Sequence, residues 1–245
     1  MKTVAIIQAR MSSTRLPGKV LLPLGDETVL GQVVRRVKLC RRVDEVIVAT
    51  TDAPDDGAIV RECGQIGVGW YRGSLTDVLG RYHGAARAAG AEVVARVTSD
   101  CPLFDPTVLD SMMERFCGLR QNGAGVDYLS NTLKRRYPRG LDAEVFTFAA
   151  LDKAQAEARA DFEREHVTPY FYRHPELFRL SSYEGAEDHA GERWTLDTPE
   201  DYQMLQAVYR ELGGGIFSTA AVLNFLKRHP EVGRLNAHIE QKKAC

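Results

Sequence analysis

Three cations stand close together near the start of the chain. In Ile6–Leu21 (IIQARMSSTRLPGKVL), Arg10, Arg15 and Lys19 are interleaved with the hydroxyls of Ser12, Ser13 and Thr14, with Pro17-Gly18 just ahead of the lysine. Guanidinium forks match phosphate oxygens, and a lysine adds a compact point charge. The apolar run Thr3–Ile7 reads as a buried strand, so the cations follow Gln8 and Ala9 onto a loop at its carboxyl end. In open α/β sheets that is where ligands bind. The expected chemistry is the wrapping of a polyphosphate. A Walker A loop is excluded, because no glycine stands five residues before Gly18 and Val20 replaces the hydroxyl residue that would hold magnesium. A solvated basic turn is the plainer alternative, but such turns seldom set three cations and Pro-Gly directly after a buried strand.

Carboxylates recur at comparable places. Asp52 closes the β-branched run Val43–Thr50, and Asp100 follows Val93–Val97 through Thr98 and Ser99. Asp100 fits two roles from its spacing, an oxygen ligand for a hard cation or a turn and N-cap ahead of the helix that Pro106 opens. In Arg193–Asp201, Thr198 suits an N-cap, Pro199 the first helical position, and Glu200 with Asp201 the first turn. Asp197 stands just outside that cap and has no such structural reason. Two carboxylates from distant strands, converging on one cation beside a cationic loop, is what phosphoryl and nucleotidyl transfer needs. Arg72-Gly73-Ser74 precedes a helix; Gly73 allows close backbone approach to a ligand, although a Gly-Ser turn there is most often only a turn. Arg139-Gly140-Leu141-Asp142-Ala143-Glu144 and Arg164-Glu165-His166 are charge runs of the kind that usually form solvated faces.

The elements that must carry these residues alternate. Helical periodicity covers Val29–Leu39, with Leu30, Val33, Val34 and Val37 on one face. Ala53–Gly64, Asp77–Ala89 and Pro106–Gln121 read as further helices, and Val68–Tyr71 as a third strand before Val93–Val97. Near-continuous apolar strands alternating with helices predict a parallel sheet with helices on both faces. After Gln121 the rhythm breaks. Tyr128–Asn131, Glu144–Phe148 and Phe178–Ser182 read as short strands around a helical stretch, Phe162–His174, and suggest a small antiparallel arm within an otherwise mostly parallel sheet. Arg193 to Asp197 reads as a short strand, residues 198–211 and 218–228 as terminal helices, and Lys242-Lys243 as a frayed tail.

Composition sets bounds. At 245 residues the chain fits one α/β domain, and its net charge of -1 argues against a nucleic-acid or membrane surface as partner. No signal peptide and no bilayer-length apolar run is read. Five cysteines, at 40, 63, 101, 117 and 245, lack metal-ligand spacing and fit reduced thiols. The expected compartment is the cytoplasm.

The segments Ile6–Leu21, Arg72–Tyr82, Arg96–Pro106, Arg139–Phe146, Arg164–Tyr170 and Trp194–Tyr202 together resemble the sugar-acid cytidylyltransferases, which make CMP-sialic acid and CMP-Kdo. Within them the chain is most similar to the branch of spore coat polysaccharide biosynthesis protein F. The resemblance implies a three-layer α/β/α nucleotide-diphospho-sugar transferase-like fold over residues 1–245, with about 125–185 forming the acceptor and homodimer region. It implies CMP transfer from CTP to an acidic sugar of the 2-keto-3-deoxy type, with pyrophosphate released, for surface polysaccharide synthesis. Asp100 and Asp197 would hold Mg²⁺, while Arg10, Arg15 and Lys19 would bind the triphosphate. Gln8, Ala9, Ser13, Asp52, Gly73, Ser74 and Thr98 would complete the nucleotide site. Arg139, Asp142, Glu144, Arg164 and His166 would face the sugar acid. Thr98 stands where the Kdo enzymes have a glutamine, so contacts there differ. Another base or acceptor, a nucleotide-sugar glycosyltransferase (no Asp-x-Asp follows the fourth strand), and a binding module without turnover are the other readings.

Overall fold

The run TVAIIQ is apolar and β-branched on both faces, and it forms β1 (Thr3–Gln8) at the middle of the sheet. The computed structural model describes residues 1–123 and 125–240. After β1 the cationic loop enters a 3₁₀ turn at Lys19–Leu21 and a short hairpin, β2 (Pro23–Leu24) and β3 (Glu27–Thr28). Thr28 caps α1 (Val29–Lys38) by accepting the Gly31 N–H at 3.0 Å. There follow β4 (Glu45–Thr51), α2 (Gly57–Gln65), β5 (Gly69–Gly73), α3 (Val78–Ala88), β6 (Val93–Thr98) and α4 (Pro106–Gln121). The second half holds β7 (Tyr128–Ser130), β8 (Glu144–Thr147), α5 (Phe148–Glu157), α6 (Asp161–His166), α7 (Pro169–Arg173), β9 (Leu180–Ser182), α8 (Pro199–Leu212), α9 (Thr219–Arg228) and α10 (Pro230–Arg234).

Seven strands make one mixed sheet in the order β5-β4-β1-β6-β8-β7-β9. β5, β4, β1 and β6 are parallel; β8 alone runs against its neighbours β6 and β7. On one face Ala5, Ile7 and Val48 meet Leu30 and Val33 of α1, Ile59 of α2, and Leu109, Met112 and Phe116 of α4. On the other, Val4, Ile6 and Val94 meet Leu79 and Tyr82 of α3, Leu151 of α5 and Phe171 of α7. A third cluster surrounds Trp194 and joins α8 and α9 to β2.

The mixed, mostly parallel sheet matches the expectation, but the expected antiparallel arm is reduced to a single strand. β7, β8 and β9 are three or four residues each and gain backbone partners by extending the main sheet, with β9 parallel to β7. The helical stretch expected over Phe162–His174 is two helices. Val167 breaks the helix with φ 71 and ψ -58, and Pro169 opens the second helix at its first position. α5, which no sequence reading anticipated, continues directly from β8 with Thr147 as its cap. The strand expected near Arg193 is a single parallel bridge to Arg139. The Lys242-Lys243 tail lies outside the described residues.

Candidate active site

In-register pairing of Gln8 with Thr98 releases the loop after β1 and the Ser99-Asp100 turn after β6 at one edge of the sheet. The loop is tied down locally. The Met11 carbonyl accepts the N–H groups of Ser13 and Gly18, both at 2.9 Å, and Asp56 accepts the Met11 N–H at 2.7 Å. Gly18, at φ +70, supplies the left-handed turn into the 3₁₀ segment. Lys19 is thereby aimed at the far end of the chain.

Its ammonium donates to Asp100 Oδ2 at 3.0 Å, Asp197 Oδ1 at 2.9 Å and the Leu196 carbonyl at 2.6 Å. Three N–H groups meet three acceptors, so its donor capacity is complete. Asp197 Oδ2 is in turn held by Arg15 at 3.0 Å and Arg193 at 3.1 Å. Behind them Asp201, wholly buried, takes the Arg193 fork at 2.9 and 2.8 Å and accepts the N–H groups of Asp197 and Thr198. Asp100 accepts the Thr98 hydroxyl at 2.6 Å, and its carbonyl accepts the Leu196 N–H at 2.8 Å. The N-cap of α4 is Asp105, which accepts the Thr107 N–H, so capping does not explain Asp100.

These contacts set the charges. Burial pushes the Asp100 carboxyl up, but the Lys19 charge and the Thr98 hydroxyl outweigh it and leave it below the ordinary range. Burial likewise opposes the Lys19 charge, and the two aspartates more than offset it, so its pKa is raised. For Asp201 burial is outweighed by the hydrogen bonds from Arg193 and Asn236, and the carboxyl is held low.

Two adjoining cavities open here. The first, about 480 Å³, is lined by Gln8, Ala9, Arg10, Ser13, Arg15 and Lys19, faced by Thr98, Asp100 and Asp197. The second, about 760 Å³, shares Arg10, Arg15, Thr98, Asp100, His166 and Asp197 with the first and extends to Arg139, Asp142 and Glu144. Asp52, Gly73 and Ser74 line neither. They sit at the ends of β4 and β5, where the Asp52 N–H donates to the Gly73 carbonyl at 2.9 Å. Arg81, which sequence reasoning missed, lines the first cavity and donates to the Ser74 carbonyl.

Arg164 is also outside both walls. Its guanidinium pairs with Asp77 at the N-cap of α3 and with the Gln155 carbonyl, which makes it a brace between helices. Glu144 is engaged by Arg96 and the Tyr128 hydroxyl, and Asp142 by the Arg135 fork at 2.6 and 2.9 Å. Arg10, Arg139 and the His166 ring have no side-chain hydrogen bond or ion pair among the described residues. Burial, with Arg96 and Arg10 nearby, lowers the His166 pKa, so the ring is neutral at pH 7. Arg96 had a signal, since a charge inside the buried run VVARVT needs a partner. Arg193 and Asp201 had none, because Asp201 also satisfies every rule for a first-turn carboxylate.

A divalent cation is the cofactor such a site implies. Among the described residues no cluster of three or more His, Cys, Asp or Glu could hold one. Asp100 and Asp197 still fit, because Mg²⁺ commonly takes one or two carboxylates and completes its shell with phosphate and water oxygens.

The cytidylyltransferase family profile matches residues 4–230. The chain belongs to the cytidylyltransferase family. That membership indicates an enzyme, a CTP-dependent nucleotidyltransferase. Spore coat polysaccharide biosynthesis protein SpsF of Bacillus subtilis is 35% identical over 234 residues, covering 92% of this chain and 94% of that protein. The 3-deoxy-manno-octulosonate cytidylyltransferase of Solibacter usitatus is 31% identical over 185 residues, 69% of this chain and 68% of its own length. A cytidylyltransferase structure from Leptospira borgpetersenii superposes with a TM-score of 0.90 at 34% identity, covering 99% of each chain. Among the described residues no helix is long and apolar enough to cross a membrane.

Proposed function

We propose that the chain transfers CMP from CTP to an acidic sugar of the 2-keto-3-deoxy type and releases pyrophosphate, in the synthesis of a surface polysaccharide. The observation that carries this is the meeting of two cavities at Asp100, Asp197, Arg10 and Arg15. One cavity is lined by the loop suited to a polyphosphate, the other holds cations without partners, and the shared wall is where a bond between their occupants would form. The relatives support the choice of substrates, since one is a cytidylyltransferase for an octulosonate and another is named for polysaccharide synthesis.

In this reading Arg10, Arg15 and Lys19 hold the triphosphate, and their charge stabilises the pyrophosphate as it departs. Arg139 takes the carboxylate of the sugar acid. A sugar hydroxyl attacks the α-phosphorus, the bond from that phosphorus to the bridging oxygen breaks, and pyrophosphate leaves with the electron pair. His166 faces both cavities as a neutral imidazole and accepts the proton of the attacking hydroxyl. Asp100 and Asp197 hold Mg²⁺, which when bound neutralises charge at the α-phosphate. No side-chain nucleophile is needed, since positioning and electrostatics carry the reaction. A homodimer contact over about residues 125–185 is part of the same reading.

The test is pyrophosphate release with Mg²⁺, each of the four nucleoside triphosphates, and a panel of 2-keto-3-deoxy sugar acids. Release with CTP and an acid together is the expected result. Release with another nucleotide, or none while no nucleotide raises the melting temperature, contradicts it.

A further inference from the structure

Lys19 places its charge on two carboxylates distant from it in the chain rather than in the open loop. Its three N–H groups are all taken, by Asp100, Asp197 and the Leu196 carbonyl, at 3.0, 2.9 and 2.6 Å. An ammonium with three donors and no acceptor cannot reach a phosphate without releasing one of these partners. It also lies between the two carboxylates that would serve a divalent ion, within hydrogen-bond distance of both.

The surrounding charges are matched. Asp100, Asp197 and Asp201 face Lys19, Arg15 and Arg193, joined by contacts between 2.8 and 3.1 Å. A dication entering this set alone would leave two positive charges in excess while facing an ammonium across the same carboxylates. A dication arriving with a polyphosphate meets different conditions, because the phosphate oxygens accept the N–H groups that Lys19 withdraws.

We propose that Lys19 is a built-in monovalent occupant of the metal position, so that the divalent cation is admitted only as the nucleotide draws Lys19 onto its phosphates. This rests on the nucleotide and metal reading above and deepens it. Metal and nucleotide binding are then coupled through one side chain, each raising affinity for the other by the same factor. Arg15 cannot substitute, because it approaches Asp197 from the other carboxylate oxygen and makes no contact with Asp100.

The test uses the intact chain and Mn²⁺ alone, with free Mn²⁺ read by electron paramagnetic resonance. Without nucleotide, Lys19→Met is expected to bind Mn²⁺ about tenfold or more tightly than the wild type, the least that removing a unit charge this close implies. Lys19→Gln serves equally should the methionine variant fail to fold. Adding Asp197→Asn to either variant should abolish the gain. CTP should raise Mn²⁺ affinity in the wild type beyond that of CTP in solution, and raise it much less in the variants. Equal Mn²⁺ affinity in wild type and folded variants overturns the proposal, as does a CTP effect of the same size in both. Tight metal binding by the variants with no CTP effect in the wild type would instead refute the nucleotide reading, leaving the competition between Lys19 and metal standing.

Discussion

Asp201 touches neither cavity, yet it decides where Asp197 points. It is wholly buried, it holds the Arg193 fork, and through its own acceptor oxygen it fixes the backbone N–H of Asp197. Breaking a buried ion pair by removing one charge costs about 3–5 kcal/mol. Asp201→Asn should therefore lower stability by about 3 kcal/mol in urea melts and reduce turnover in the folded fraction. Undiminished turnover would show that Asp197 holds its place without help.

The titrating groups give a pH signature with two limbs. Asp100 and Asp201 are depressed in the folded chain, so their stabilisation is complete above the unfolded value near 4 and is lost as pH falls through the folded ones. Lys19 is raised, so its share holds below about 10.4 and is lost as pH climbs through the folded value. His166 is lowered, which means the unfolded chain binds its proton more readily, and stability declines as pH falls below about 6.5. Burial raises the thiols of Cys40, Cys63 and Cys101, so their share is complete below about 8.5 and is lost as pH rises above it. The melting temperature should be flat between about pH 7 and 8.5, decline above that, slip below 6.5 and drop below 4. His166→Gln should remove the slip at 6.5, leave the drop near 4, and lower turnover about a hundredfold or more by removing the proton acceptor.

At the scale of elements, the site depends on close approaches that the sequence discloses unevenly. Gly140 lies at φ +104, and a Cβ there would come within 2.6 Å of the Trp194 carbonyl carbon. That close approach is what the isolated bridge between Arg139 and Arg193 requires. Gly140→Ala should cost about 2–4 kcal/mol in stability, through strain and overpacking together, and weaken acceptor binding. Arg164 makes the opposite case. Arg164→Ala should lower the melting temperature by loosening α6 from α3 while leaving the acceptor KM unchanged, whereas Arg139→Ala should raise that KM with little effect on stability. If both variants raise KM equally, Arg164 faces the substrate after all.

The β-branched strands, the cap of α1 and the Pro-opened α4 were legible because local periodicity and capping chemistry determine them. α5 is rich in alanine but follows directly on the strand-like run Glu144–Phe148, with no loop residue to mark where the strand ends and the helix starts. The break at Val167 could not be read, because positive φ at a β-branched residue is imposed by surroundings rather than by local preference. The partners of the charge runs were equally hidden. Nothing in the spacing of Arg164 and Asp77, or Arg135 and Asp142, distinguishes a brace from a ligand contact; only the fold assigns them.

Considered whole, the molecule is a sheet whose parallel half supplies the cationic loop and whose mixed half supplies most of the second cavity's wall, to which the proposed function gives the polyphosphate and the acceptor. The cationic loop and Asp100 were legible because strand ends in α/β folds are known positions. The convergence of Asp197 on Lys19 joins residues 178 positions apart, and the two cavities owe their shared wall to it. The proposed transfer breaks the bond between the α-phosphorus of CTP and the oxygen that bridges it to the β-phosphate. Phosphorus NMR of the chain with CTP, Mg²⁺ and the sugar-acid panel follows that bond directly. The expected result is loss of the β-phosphate triplet as pyrophosphate appears, together with a new phosphodiester resonance that moves with the acid supplied. The appearance of CDP and inorganic phosphate, or of CMP and pyrophosphate with no diester, would contradict it.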